Sequence, residues 1–527
     1  MKPSYLIYLS VFTVLVFAGC KKNDSNQNSG KTTVNNGNGK STPTLPQGAA
    51  QLLNFKINGA SCAFDSLSVS YYYPVAVGTS LTGYTVNYDT TATAAVYINN
   101  VQIKNGGVMN SSITANDELT IRAVNALNET STYHLVITGM PIVTLTCNSE
   151  IADDDVNAKF DLVNPDYQAE HSQLEITSNI QIAIRGGVSR DYPKKNYKVH
   201  TVDASNNDID VSLLGLRHDN SWILDAMYID QARMRNRVCT DLWNTFNNVP
   251  YLDKEPTALN GTRGYMTEVF LNGKYHGIYC LTEKLDRKQL QIKKQYGDMY
   301  KADFWTSETA FQGISAYDNT AATWGGWELE YPELGDSPAP DWGYLYNEVN
   351  FIANSTDADF ATQIASRVDI NNIVDYFIFI NVLNAPDNEN KNTFFSFYDI
   401  RSAGYFFYSP WDLDGTIGRN AGGGMLANQI IGPANNNLFA RLMNLNAANF
   451  NGLVKARWAQ LKDNQLSKAA VASRIEVYRK LLNGTNAFAR ERQVWDNITQ
   501  DLNVEAAYMT NWYSTQYDQF DNYVKSL

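Results

Sequence analysis

At 527 residues the chain is long enough for two or three domains, and its formal net charge of −12 comes without any block of Lys or Arg, which argues against a nucleic-acid partner. Its five histidines (His134, His171, His200, His218 and His276) form no HExxH-type cluster, which argues against a zinc hydrolase. Cys62, Cys147, Cys239 and Cys280 are scattered with no CxxC pair, so neither a zinc cluster nor a disulfide framework is indicated, and buried thiols are expected.

The opening segment, MKPSYLIYLSVFTVLVFAGC, has one early lysine and an apolar run from Tyr5 to Gly19 that is short for a membrane span; residues 1–20 therefore read as a secretion signal. Ala18-Gly19-Cys20 resembles the lipobox of bacterial lipoproteins, whose cysteine becomes the lipidated first residue, although Phe17 stands where Leu or Val is usual. That resemblance implies lipidation at Cys20 and an extracytoplasmic protein anchored to a bacterial membrane, at the outer membrane or cell surface. An ordinary signal peptide with an incidental cysteine is the alternative. Residues 21–50 are rich in Asn, Ser, Thr, Gly and Lys and almost free of apolar side chains, the composition of a flexible tether. Random-coil scaling gives it a span of roughly 30 Å.

Residues 51–140 read as short alternating runs (LLNFKI, YTVNY, AAVYINN, ELTIRAV, TYHLVITG) separated by turn formers. The pattern predicts a small all-β sandwich, immunoglobulin-like, serving as a spacer in preference to a carbohydrate contact. After Pro141 the text turns mixed. Strands are expected at 180–186, 196–202, 221–227, 265–271 and 275–282, the last two joined by Asn272-Gly273, a strong hairpin signal. Between the third and fourth, Asp230 is placed to cap a helix carrying Met234, Val238, Leu242 and Phe246 at every fourth position. IVDYFIFINVL (373–383) predicts a buried helix, NTFFSFY and GYFFYS two more strands, and the chain from about 436 onward is helical.

The chemistry concentrates near PWDLDGTIG (410–418). On an extended strand Asp412 and Asp414 share one face while Leu413 takes the other. A divalent-metal site, a phosphatase nucleophile pair and a surface turn all fit the motif alone. DLDGT matches the opening motif of haloacid dehalogenase-type phosphatases, but no GDxxxD follows and the downstream pattern is helical. An EF-hand loop is disfavoured because the twelfth position counted from Asp412 is Gly423. Upstream, NAPDNENKNTFFSFY places Asp387 five residues before Asn392 at the head of a strand. Protein kinases use the same order: a loop Asp that accepts the substrate proton, an Asn five positions on that holds a metal, and a further Asp after a hairpin that holds magnesium.

The stretch from about 141 to 460 resembles the CotH kinases, atypical protein kinases named after a spore-coat protein. The resemblance is carried by IRGGVSRDYPKKNYKV (184–199), WILDAMYIDQARMRNRV (222–238), YMTEVFLNGKYHGIYCLTEKLD (265–286), MYKA (299–302), the Asp387–Asn392 loop and PWDLDGTIG. It implies an α+β fold: a two-lobed, atypical protein-kinase-like domain over 141–470, extended by helices over 471–527 and preceded by the sandwich. It also implies Mg²⁺- or Mn²⁺-dependent transfer of phosphate from ATP to a hydroxyl of a protein substrate on the cell surface or in the periplasm. Asp387 would be the catalytic base, Asn392 and Asp412 metal ligands, and Asp414 an auxiliary ligand. Arg185, Lys194, Lys195 and Lys198 would face the phosphates, Lys198 being the preferred lysine, and Glu283 would lie near the adenine. The sequence departs from the kinase pattern in having RGGVSR in place of GxGxxG. Its helix at 230–246 offers only Asp230 and Asp241 as acids, with Arg233, Arg235 and Arg237 as alternative phosphate contacts. The rival reading is a non-catalytic surface lipoprotein that keeps the kinase-like fold to bind a polysaccharide or a protein.

Overall fold

In the computed structural model of the chain the described residues are 50–336, 339–401 and 405–527; the expected leader, Cys20 and the tether up to residue 49 lie outside them. The first ninety or so described residues form two antiparallel-rich sheets, one four-stranded and one six-stranded. Alternation in Glu118–Val124 and Thr130–Thr138 turns every second side chain inward. The inward faces of both sheets meet in one core that includes Phe55, Ile57, Tyr71, Tyr84, Val86, Ile121 and Leu135.

Seven strands then close into a barrel: Ile142–Cys147, Val156–Val163, Glu175–Arg185, Asn196–Val202, Ser221–Asp225, Tyr275–Glu283 and Gly264–Leu271. Closure is made by parallel pairing of Ile142–Leu145 with Glu268–Leu271. Leu145, Phe160, Ile182, Val199, Trp222 and Leu281 fill the interior. Strand parity therefore sends Arg185, Lys198 and Asp225 to the outer face of the wall, and the register sets Ala183 opposite Lys198 and Arg185 opposite Asn196. Asn272 and Gly273 both take positive φ (50° and 70°), the conformation the tight hairpin needs.

A further, five-stranded sheet follows, in the order Thr323–Trp324, Trp327–Tyr331, Asp298–Ala302, Thr393–Phe397 and Phe407–Pro410. It packs on the Ile370–Leu383 helix, which is buried over nearly its whole length, capped by Asp369 accepting from the Asn372 amide and ended by left-handed Asn384. The helices Lys468–Gly484, Ala487–Val494 and Leu502–Ser526 complete the same core through Ile475, Phe488, Met509 and Phe520. The four described cysteines are free and buried. No helix among the described residues is long and apolar enough to cross a membrane.

Candidate active site

The site begins as a consequence of strand register. Thr393 pairs with Pro410 at the mouth of the Thr393–Phe397/Phe407–Pro410 ladder, and one step further the Trp411 amide donates to the Asn392 carbonyl at 3.0 Å. The loop leaving the buried helix is thereby set beside the segment that follows the last strand. Asn388, 1 % exposed, fastens the two: its Nδ2 donates to the carbonyl of Asn392 at 2.9 Å and to that of Trp411 at 2.6 Å. Asp387 accepts from Asn392 Nδ2 at 3.0 Å and from Lys391 Nζ at 3.3 Å. Asn392 and Asp412 hold φ of 52° and 55°, a region that non-glycine residues enter at a cost and that clusters at functional sites.

The extended geometry expected for Asp412 and Asp414 is not what the chain adopts. The strand ends at Pro410, and both acids lie in the loop beyond it, turned by the left-handed Asp412. Leu413 between them is fully buried, its carbonyl accepting from Thr416 Oγ1 at 2.7 Å and its amide donating to Asn236 Oδ1 at 3.1 Å. Gly415 is required here because a Cβ would lie 2.9 Å from the Ala421 amide nitrogen. Neither Asp412 nor Asp414 has a hydrogen bond or ion pair among the described residues. Asp412 keeps contact with solvent although protein surrounds it densely, the signature of a residue lining a recess. Those surroundings, then Asp225, push its carboxyl up to about 6, against the opposing pull of Arg185. Burial and then Asp412 hold the Asp414 carboxyl well above the usual carboxylate range, and Asp387 acts on both in the same direction.

Arg185 comes to this acidic recess from the barrel. Its guanidinium stands 5.6 Å over the Trp411 ring, and Asp225 and Asp412 are its principal opposite charges. The lysines are placed differently. Lys194 is fully buried, bound to Glu491 at 2.7 Å and lying 4.6 Å over the Tyr279 ring, so it does not face a phosphate site. Lys195 reaches back to the Arg190 carbonyl, and Lys198 pairs with Asp155 at 3.0 Å on the outer wall. Glu283 is not brought to the recess: fully buried, it accepts from the Arg217 and Arg263 amides, the Arg263 side chain and Gln289. The three arginines at and just before the Arg235–Trp243 helix are likewise spent. Arg233 pairs with Glu491, Arg235 with Asp230 and Glu505, and Arg237 with Asp241, all buried and none free to meet phosphate.

Several residues of the site carried no motif. Asp225 closes a strand and faces Asp412, Asp414 and Arg185; a lone acid ending the apolar run SWILD was the available signal. Asn236, Asn388 and Lys391 had none. Among the described residues no group of three or more His, Cys, Asp or Glu side chains is arranged to hold a metal ion. The set read from the sequence instead combines the carboxylates of Asp412 and Asp414 with the amide of Asn392. Because Asn392 donates through Nδ2, its Oδ1 is left open, and with two unpartnered carboxylates this is an all-oxygen donor set of the kind hard divalent cations take.

The fold defines a mixed α+β protein, and its loop acid Asp387, the amide of Asn392 and the acids that follow the hairpin lie on adjoining segments. The chain belongs to the CotH family: the family model described as "CotH kinase protein" matches residues 182–524. It is similar to the inner spore coat protein H of Bacillus subtilis (strain 168), with 25 % identity over 252 residues, or 47 % of this chain. The match spans 62 % of that relative's length. A solved chain of Bacteroides thetaiotaomicron VPI-5482, described provisionally as a glycoside hydrolase, aligns at 10 % identity over 32 % of this chain and 56 % of its own, with a TM-score of 0.14 that carries no structural argument.

Proposed function

We propose that the protein is an atypical protein kinase that transfers the γ-phosphate of ATP to a hydroxyl of an extracytoplasmic protein. The observation that carries this reading is the convergence of Asp387, Asn392 and Asp412, fastened by Asn388, in a chain of the CotH family. Asp387, half-buried and bonded on one oxygen, is suited to orient an acceptor hydroxyl and take its proton. Asn392 Oδ1, Asp412 and Asp414 would hold Mg²⁺ or Mn²⁺, which when bound offsets the charge of the nucleotide phosphates. Arg185, over the Trp411 ring and opposite Asp225 and Asp412, would meet those phosphates from the barrel side. In this reading the barrel is the N-terminal lobe and the five-stranded sheet with its helices the second. The preceding two-sheet unit is the immunoglobulin-like sandwich, and Cys20 anchors the chain by lipid to the outside of a bacterial membrane.

One observation favours the second reading, a non-catalytic lipoprotein that binds a polysaccharide or protein. Lys194, Lys195 and Lys198 are all paired away from the acids. Labelled ATP with Mg²⁺ or Mn²⁺ separates the two. The kinase reading expects transfer by the wild type, loss of at least about a hundredfold in Asp387→Ala and Asp412→Ala, and weakened nucleotide binding in Arg185→Ala. Equal transfer by all, or no nucleotide binding with any divalent metal, would leave the binding protein.

A further inference from the structure

Asp412 has no hydrogen bond to its own carboxylate, so its aim is set by the peptides on either side. The preceding one is held through its carbonyl, which accepts from Asn388 Nδ2 at 2.6 Å. The following one is held by a single neutral side chain. Asn236, in the first turn of the Arg235–Trp243 helix, accepts from the Leu413 amide through Oδ1 at 3.1 Å and donates through Nδ2 to Asp225 Oδ2 at 2.9 Å. Asp225 is fixed in turn, paired in register with Cys280 and accepting from the Met227 amide at 3.0 Å. Asn236 is steadied at its own carbonyl by Thr240 Oγ1 at 2.8 Å. A continuous line of hydrogen bonds thus runs from the barrel wall, through one amide, to the peptide after Asp412.

Only an amide side chain of this length supplies the acceptor that Leu413 needs and the donor that Asp225 needs. An aspartate would keep the first and set a like charge against the second; an alanine would lose both. Release of the Leu413 amide would leave a left-handed, non-glycine Asp412 held from one side, free to relax from its strained backbone.

We propose that Asn236 is a positioning residue that clamps the Asp412–Leu413 peptide to the barrel and so presents the Asp412 carboxylate to a metal-bound nucleotide. The role in ion presentation rests on the phosphotransfer reading; the clamp itself does not. The test uses the full chain, a fluorescent ATP analogue titrated with Mn²⁺, and amide hydrogen exchange at Leu413. Asn236→Ala is expected to raise the half-saturating Mn²⁺ concentration about tenfold and to speed Leu413 exchange by a similar factor, the loss of roughly one net hydrogen bond. The melting temperature should move by no more than a few degrees. Asn236→Asp should lose as much, and the exchanged pair Asp225→Asn with Asn236→Asp, which restores donor and acceptor in swapped places, should recover most of it. Wild-type Mn²⁺ dependence and wild-type Leu413 exchange in Asn236→Ala overturn the proposal, as does a melting change with unchanged metal dependence. A wild type that binds no nucleotide with any divalent metal overturns the phosphotransfer reading and the presenting role with it. Faster Leu413 exchange in Asn236→Ala would then distinguish that failure from absence of the clamp.

Discussion

A carboxylate without a donor beside it is kept ionised in a folded protein only at the expense of stability, and at Asp414 the nearest charges are other acids. Asp414→Asn should therefore raise the melting temperature of metal-free protein at pH 8 by a few degrees, while wild type should gain more than the variant from added Mg²⁺ or Mn²⁺. Thermal melts with and without metal decide it; a less stable variant with an equal metal response would count against the donor set. Glu389, behind the same loop and 1 % exposed, has one oxygen on Asn435 Nδ2 at 3.1 Å and the other without a partner. Burial pushes its carboxyl up to about 7, against the Asn435 bonds. Between about pH 4.5, where the unfolded carboxyl titrates, and pH 7 the native state binds the extra proton, so stability falls as pH rises through that window. Glu389→Gln should remove this share of the slope, at most about 1.4 kcal/mol per pH unit, in unfolding followed from pH 4.5 to 8. The nearness of the Asp387–Asn392 loop to the segment after Pro410 was legible because both lie at the ends of strands and helices, where local order predicts proximity. Lys194 was misread because its partner is Glu491, 297 residues further on, a distance no periodicity spans.

At the scale of elements, Glu491 shows how the C-terminal helices shape the barrel. From the Ala487–Val494 helix its Oε1 accepts Lys194 Nζ at 2.7 Å and Arg233 Nε at 2.8 Å, while Oε2 accepts the Ile278 amide at 2.7 Å. All three side chains are fully buried, and Gly277 has no room for a side chain because Glu491 occupies the space. Glu491→Ala would leave two buried cations facing each other, a change expected to cost about 3–5 kcal/mol. Glu491→Ala with Lys194→Met should recover part of that, measured by urea unfolding; no recovery would show that the carboxylate's bond to the Ile278 amide dominates. Strands and the buried Ile370–Leu383 helix were legible because alternation and apolar runs are local signals. The helix after Asp230 was legible in kind but begins later than capping suggested. Asp230 does accept from the Ala232, Met234 and Arg235 amides, yet left-handed Arg233 delays the first helical turn to Arg235. Barrel closure was not legible, since it depends on parallel pairing of residues more than a hundred positions apart.

For the whole molecule the question is whether the N-terminal two-sheet unit is a bead on a string, as a spacer would be, or part of one cooperative body. Tyr72 from that unit packs with Ile142, Phe270 and Tyr275 of the barrel, its ring centroid 5.0 Å from Phe270 and 6.1 Å from Tyr275. Backbone and side-chain bonds cross the same seam: Ser66 N to the Gly273 carbonyl at 2.9 Å and Ser61 N to Glu175 Oε1 at 3.0 Å. A third tie, Asn116 Nδ2 to the Gly484 carbonyl at 2.6 Å, reaches the C-terminal helices. Aromatic surface covered on both sides of a seam couples the unfolding of the two sides, because neither can open without wetting the other. Calorimetry of the wild type should accordingly show one transition, and Tyr72→Ala, which removes the aromatic anchor at about 3 kcal/mol, should lower or split the transition that includes the barrel. A true spacer would behave otherwise: two transitions in the wild type, with Tyr72→Ala moving the smaller alone.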